Sequence, residues 1–314
     1  MFISKVLTSF GNIKHEYNKG SIGRYLSGRL TSYLKIRRTT SNKISSSIKK
    51  LFFLKEYLKR KLVSRYVLDP LFIDENKKYL ILETKNLRNL DKLTKHCEKL
   101  IEKKKKFFKP RPDYFTANLI DYDRDNTVLN VKNIEEIRPI YNFITQKSLI
   151  STIINYLGEI PVIGNVALFY TIAHDGNFGS EKFHIDQNCS RQLHLILPIN
   201  NVDERNGPFS FLEASLTQKV FENVNYMGGR LEDKNVFKYV RSDDLIEFKS
   251  KKAKKLLLVD PYSCLHFGAR ARSKNRALLI VSFTSKFEGS EEISGLYRMN
   301  NRSLLKRKDN ELDK

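Results

Sequence analysis

The stretch "EKFHIDQNCSRQLHLILPIN", Glu181 to Asn200, sets His184 and Asp186 two positions apart, directly ahead of an apolar run. In an extended chain residues i and i+2 project to one face. The imidazole and the carboxylate therefore point together, while Phe183 and Ile185 turn the other way. Such a pair either closes a surface strand or opens a metal site. One imidazole and one carboxylate are two of the three ligands of the 2-His-1-carboxylate triad that holds non-haem Fe(II).

A third ligand must come from elsewhere, and "LLLVDPYSCLHFGARARSKNRALLIVSFTS", Leu256 to Ser285, offers one. His266 follows an apolar strand and a Pro turn, 80 residues beyond Asp186 (266 − 186). Two neutral imidazoles and one carboxylate would leave Fe(II) a residual positive charge and three free positions. A 2-oxo acid can take two of them and O₂ the third. A dicarboxylate co-substrate also needs a cation at its far end, and a guanidinium forks onto a carboxylate bidentately. Arg276, at the start of the next apolar strand, is the expected cation; Arg270 and Arg272 fall in the preceding loop.

The totals bound the rest. A chain of 314 residues, 40% hydrophobic, can hold one large domain with appendages. Three widely spaced cysteines, Cys97, Cys189 and Cys264, argue against a disulfide framework and for a reducing, cytoplasmic setting. There is no run of 18 apolar residues and no secretory h-region. The net charge of +22 is uneven: residues 1–66 hold 16 Lys or Arg against Glu16 and Glu56, so +14 lies there and +8 (22 − 14) in all the remainder.

These shifts suggest four segments: a basic helical stretch over 1–66, a helical or mixed lead-in over 67–149, a β core over 150–288 and a polar tail over 289–314. In the first, Ile48, Leu51, Phe52, Leu58 and Leu62 stand near helical spacing among Lys and Arg. It reads as a helix packing one face on the main domain, or as a peripheral element on an anionic membrane surface. A nucleic-acid partner is disfavoured, since no reader motif accompanies the charge. In the lead-in, "YLILET" reads as a strand, and Leu90, Leu93, Cys97, Leu100 and Ile101 form a helical stripe, with His96 beside it as packing. "IRPIYNFITQKSLISTIINYLGEIP" reads as one helix ended by Gly158 and Pro161. Short runs rich in Val, Ile, Leu and Phe follow, cut by Gly, Asn, Asp and Pro. Strands of this texture point to a sandwich or jelly roll, so the fold class is mainly β with flanking helices.

Between Ile150 and Phe287 the sequence resembles the phytanoyl-CoA dioxygenase-like family of Fe(II)/2-oxoglutarate oxygenases. The matching pieces are "YLGEIPVIGNVALFY", "FHID", "LPINNVDERNGPFSFLEAS", "LLLVDPYSCLHFG" and "RALLIVSF". The resemblance implies a double-stranded β-helix (jelly-roll, cupin-like) core, with His184, Asp186 and His266 as iron ligands and Arg276 on the 2-oxoglutarate carboxylate. It implies hydroxylation of a C–H bond of a small-molecule or acyl/CoA-type substrate. Related halogenating enzymes carry a small residue in place of the carboxylate, so Asp186 favours hydroxylation or a related oxidation over halogenation. Where the family often shows Gly-Ser-His, this chain has Ala214-Ser215-Leu216, which leaves the substrate class open.

Other residues take lesser roles. Tyr170 and Asn188 are candidates to touch 2-oxoglutarate or substrate. His194 either lines the pocket or is a hydrogen-bonded core histidine. His174 and Asp175 are adjacent and so poor joint ligands, and Cys189 and Cys264 read as buried thiols. Two rivals stand beside the oxygenase. One is a metal cupin-type enzyme that does not use 2-oxoglutarate and has no need of Arg276. The other is a non-catalytic β domain that binds lipid or nucleic acid through its basic N-terminus.

Overall fold

A strand covered on both faces has no polar side to show, and the uninterrupted apolar runs after Ile160 are strands of this kind. The computed structural model describes residues 46–65, 69–108, 110, 115–120, 131–177, 179–187, 189–226, 228–285 and 287. The basic segment is thus seen only from residue 46, and the polar tail 289–314 lies outside the described residues.

The elements in chain order are α1 (Leu54–Ser64), β1 (Tyr79–Glu83), α2 (Leu90–Lys104), β2 (Thr116–Asn118), α3 (Val131–Ile144) and α4 (Lys147–Leu157). They continue as β3 (Val162–Thr171), β4 (Gln192–Pro198), β5 (Phe209–Phe211), α5 (Ala214–Val224), α6 (Asp233–Val236), β6 (Ile246–Phe248), β7 (Lys255–Val259), β8 (His266–Phe267) and β9 (Arg276–Thr284). Six strands form one antiparallel sheet in the order β1-β7-β4-β9-β3-β2, and three form a second, β6-β5-β8. A bridge from His184 to His266 joins residues 183–184 to β8 of the smaller sheet, and a second, isolated bridge pairs Phe183 with Leu231.

From β3 onward the chain alternates between the sheets. It runs from β3 to 183–184, back to β4, across to β5 and β6, back to β7, across to β8 and back to β9. That alternation is the winding of a jelly roll, the double-stranded β-helix expected from the sequence. The lead-in adds an edge strand at each end of the large sheet, β1 against β7 and β2 against β3.

Strand parity distributes the core. Leu195, Leu197, Leu279, Val281 and Phe283 turn outward under Leu93, Cys97, Phe143, Leu149 and Ile153 of α2, α3 and α4. Ile196, Leu257, Val259 and Leu278 turn inward against Phe209, Phe211 and Phe248 of the small sheet. The outer face of the small sheet, with Phe183, Ile185, Leu265 and Phe267, is covered by Val220 of α5 and Val236 of α6. The single helix read over Ile137–Pro161 is in fact two. Gln146 is extended (φ −61°, ψ 144°) between α3 and α4, and its side-chain amide donates to the Phe143 carbonyl at 2.7 Å, closing the end of α3.

Candidate metal centre

His184 and His266 meet where the two sheets open. Each backbone N–H donates to the other's carbonyl at 2.9 Å, a hydrogen-bonded antiparallel pair whose side chains share a face. Their rings lie 4.4 Å apart between centroids. Asp186, two positions on, joins them from the same face; its N–H donates to the Pro261 carbonyl at 3.0 Å and its carbonyl accepts from Gln192 Nε2 at 2.7 Å. The Pro261 turn itself is tied down by the buried Asp260, whose carboxylate accepts from Tyr156 Oη at 2.6 Å and from Ser263 Oγ at 3.1 Å.

One ligand atom from each of His184, Asp186 and His266 lies within 4.8 Å of the other two. Atoms that share one ion at about 2 Å each lie roughly 3 to 4 Å apart, so small side-chain rotations bring these three into register. Both imidazoles are oriented for ligation. Nδ1 of His184 is 2.8 Å from the Lys182 carbonyl, and Nδ1 of His266 is 2.9 Å from the Cys264 carbonyl. A carbonyl only accepts, so Nδ1 carries the proton in each ring and Nε2 keeps its lone pair for a metal. Asp186 Oδ1 stands 3.9 Å from His184 Nε2, beyond hydrogen-bond reach.

His194, on β4, is a neighbour of this cluster. Its inward parity brings Nε2 to 3.8 Å from Asp186 Oδ2. Burial pushes the imidazoles of both His184 and His194 down to about 4, with the charge of His266 adding to the effect at each. Burial alone would raise the Asp186 carboxyl, but His266, His194, His184 and Arg230 outweigh it and hold the group below its ordinary value. At neutral pH His184 and His194 are therefore neutral and Asp186 is ionised.

A pH dependence of stability follows. In the unfolded chain both imidazoles take up protons below about 6.5, whereas the folded, metal-free protein resists until about 4. Their contribution is fully present above pH 6.5 and is lost as pH falls toward 4, on the order of 3 kcal/mol for each. Asp260 acts oppositely: burial raises its carboxyl to about 6, so its ionisation costs stability as pH climbs from about 4 to 6. With two imidazoles against one carboxyl, urea unfolding of the metal-free protein is expected to show net loss from pH 6.5 to 4.5. A flat profile would mean that the imidazoles are charged in the fold.

The three arginines near the end of the core have different fates. Arg270 makes two 2.8 Å bonds to the Asp233 carboxylate and stacks 3.5 Å over Phe267, fastening α6 to β8. Arg272 donates to the carbonyls of His174 and Gly176 at 3.1 and 2.6 Å. Arg276 is 4% exposed and makes no ion pair among the described residues. Its Nη1 donates to the Gly207 carbonyl at 2.6 Å and its Nη2 to Thr171 Oγ1 at a long 3.4 Å, while Nε is buried with no partner. The guanidinium lies against Gly268, where a Cβ would sit 3.6 Å from Nη1 and 3.9 Å from the Phe209 ring. Phe209 in turn stacks on His266 at 5.1 Å, so Arg276 and the histidine cluster flank the same aromatic ring. Gly207, which receives Arg276, has φ 67°, and a Cβ there would strike the Arg270 carbonyl carbon at 2.3 Å. Only glycine makes this turn.

Tyr170 does not join the site. Thr171 pairs with Arg276 across the sheet, so Tyr170, one residue back, pairs with Ala277 and faces the helix layer, and its hydroxyl accepts from Asn275 Nδ2 at 2.9 Å. Strand parity turns Tyr170 to the face opposite Thr171, away from Arg276. Asn188 lies outside the described residues. The three cysteines are buried free thiols.

Three features were not read from the sequence. His174, in the loop after β3, is buried and stacks on Phe115; its Nδ1 accepts from the Gly176 N–H, which leaves Nε2 to donate to Glu181 Oε1 at 3.2 Å. Arg230, donating to the Gly179 carbonyl, brings positive charge to His184 and Asp186. Gln187 packs so closely on Gly228 that a Cβ would meet Nε2 at 2.9 Å. The Gly228-Gly229 pair beside Arg230 was the one sequence signal for that loop.

Neither a protein-family model nor a curated protein sequence matches the chain. Several solved structures resemble it. EctD from S. alaskensis is 12% identical over 70% of this chain and 81% of that chain, with TM-score 0.46 for its apo form and 0.47 with bound Fe. SnoK, a non-haem alpha-ketoglutarate-dependent carbocyclase from nogalamycin biosynthesis, is 10% identical over 67% and 80%, TM-score 0.41. HygX from Streptomyces hygroscopicus, solved with nickel and 2-oxoglutarate, is 7% identical over 67% and 84%, TM-score 0.42. Identities this low leave the reading of the site to its own residues.

Proposed function

We infer that the chain is a non-haem Fe(II)- and 2-oxoglutarate-dependent dioxygenase, of the phytanoyl-CoA dioxygenase-like kind its sequence resembles. Its proposed reaction is hydroxylation of a C–H bond in a small-molecule or acyl/CoA-type substrate. The observation that carries this reading is a converging His–Asp–His set beside a buried guanidinium whose Nε has no partner.

The donor set fits the metal: two imidazoles with Nδ1 already committed, one carboxylate, and no thiolate among the three. Bound there, Fe(II) with 2-oxoglutarate and O₂ would supply the oxidising power for C–H hydroxylation, the co-substrate leaving as succinate and CO₂. The chain's own residues do the positioning. His184 and His266 present Nε2, held by the Lys182 and Cys264 carbonyls. Asp186 supplies the single negative charge. Arg276 receives the far carboxylate of the co-substrate, which would also satisfy Nε. Phe209, Leu257, Val259 and Leu278 keep the interior behind the site apolar. A metal cupin-type enzyme without 2-oxoglutarate would leave the partnerless Nε of this buried guanidinium unexplained.

Thermal unfolding tests the reading without knowledge of the substrate. Fe(II) under argon is expected to raise the transition temperature, and 2-oxoglutarate to raise it further only when metal is present. At a hundredfold excess over its dissociation constant, the co-substrate adds about 2.7 kcal/mol. Stabilisation by metal with none from 2-oxoglutarate would assign the site to the cupin-type enzyme.

A further inference from the structure

The proposed active site leaves α1 unexplained. A helix on a globular domain ordinarily turns its apolar stripe to the core, and α1 does the reverse. Leu51, Leu54, Leu58 and Leu62 recur at i, i+3, i+7 and i+11 along α1 and the helical turn before it, and so share a face. They are 72, 47, 45 and 52% exposed, with Phe52 beside them at 60%. The face against the domain is the more polar one. Arg60 is 1% exposed and donates to the Ile160 carbonyl at 2.9 Å. Tyr57 meets Phe287 edge-on at 5.6 Å, and Ser64 Oγ donates to the Gly158 carbonyl at 3.2 Å.

Charge selects what covers the leucines. Residues 46–65 hold seven Lys or Arg against Glu56, a net +6 (7 − 1), and residues 1–45 hold nine against Glu16, a net +8 (9 − 1). At about 100° per residue, Lys55 and Lys59 run along one margin of the leucine stripe and Lys61 along the other. A second copy of the chain would set these like charges against each other. A nucleic acid would match the lysines and leave the leucines in water. The boundary between anionic headgroups and acyl chains matches both at once.

We propose that α1 is a membrane-docking element that beds its leucine face into an anionic bilayer surface while its lysines engage the headgroups. Among the described residues no helix is long and apolar enough to cross a membrane, so the contact is peripheral.

Co-sedimentation of the full chain with vesicles tests this. Binding is expected to phosphatidylcholine vesicles containing about 30 mol% phosphatidylserine and not to phosphatidylcholine alone, and to fall at least roughly tenfold between about 0.1 and 0.5 M salt. Leu54→Asp with Leu58→Asp should weaken binding by roughly tenfold or more at unchanged thermal stability, because both side chains already face water. Lys55→Glu with Lys59→Glu should do the same. Undiminished binding by the leucine variant overturns the assignment, since residues 1–45 would then be the anchor. So does a destabilised leucine variant in the absence of vesicles, which would mean that the chain itself covers the stripe. Binding to neither vesicle, or binding to duplex DNA that the leucine variant retains, overturns it as well.

Discussion

His266→Gln is expected to lose iron almost completely. The ring is 4% exposed, bridges to His184 through two backbone bonds and presents Nε2 because Nδ1 is bound to the Cys264 carbonyl. Partners that merely orient a metal ligand are worth 10–100-fold in affinity. Losing the ligand itself should cost more, at least about a thousandfold. Glutamine keeps most of the volume against Phe209, so the metal-free fold should survive with a loss on the order of 1–2 kcal/mol. The paired readout is iron content by metal analysis and stability by urea unfolding. A variant that binds iron as wild type does would remove His266 from the site.

Arg276→Met is expected to separate stability from function. Burial drives the guanidinium down to about 10, yet it remains charged at neutral pH, and holding it there costs on the order of 3 kcal/mol. Replacing an unpaired buried cation by an apolar side chain of similar length is neutral to stabilising, offset in part by the lost bond to the Gly207 carbonyl. The variant without co-substrate should therefore be no less stable than wild type. Its affinity for 2-oxoglutarate should fall by about 10²–10³-fold, the worth of a bidentate charge-assisted pair, with iron binding unchanged. If Arg276 were only a structural strut, the signs would reverse: stability would drop and co-substrate affinity would hold.

The candidate ligand pair was legible because strand geometry makes His184 and Asp186 neighbours at spacing two, and no folding knowledge beyond that is needed. The bridge that seats His266 opposite His184 is a matter of topology: it depends on the chain crossing between sheets six times from β3 to β9. Sequence pointed to His266 through the Pro turn and the strand before it, but not to the backbone bridge that pairs it with His184. Parity separates the rest. His194 sits between two outward leucines, Leu193 and Leu195, so its inward aim at Asp186 is fixed only once the sheet's two faces are known. Tyr170 missed the site by one residue for the same reason. α1 shows the opposite failure. Its amphipathic pattern was plain, and a core-facing stripe was the natural reading, yet Arg60 and Tyr57 make the contact with the domain and the leucines face out. Arg230 and the His174–Glu181 pair arrive from loops whose paths no periodicity encodes.

The most direct measurement is an anaerobic titration of the purified protein with Fe(II) and then 2-oxoglutarate, following the weak visible charge-transfer band of a metal-chelated 2-oxo acid. Wild type should develop the band at one equivalent of each. His184→Ala should show none, and Arg276→Met should need far more co-substrate to reach it. Well-folded protein that takes up iron and develops no band with 2-oxoglutarate would refute the oxygenase assignment. Protein that binds no iron would reduce "FHID" to the end of a strand.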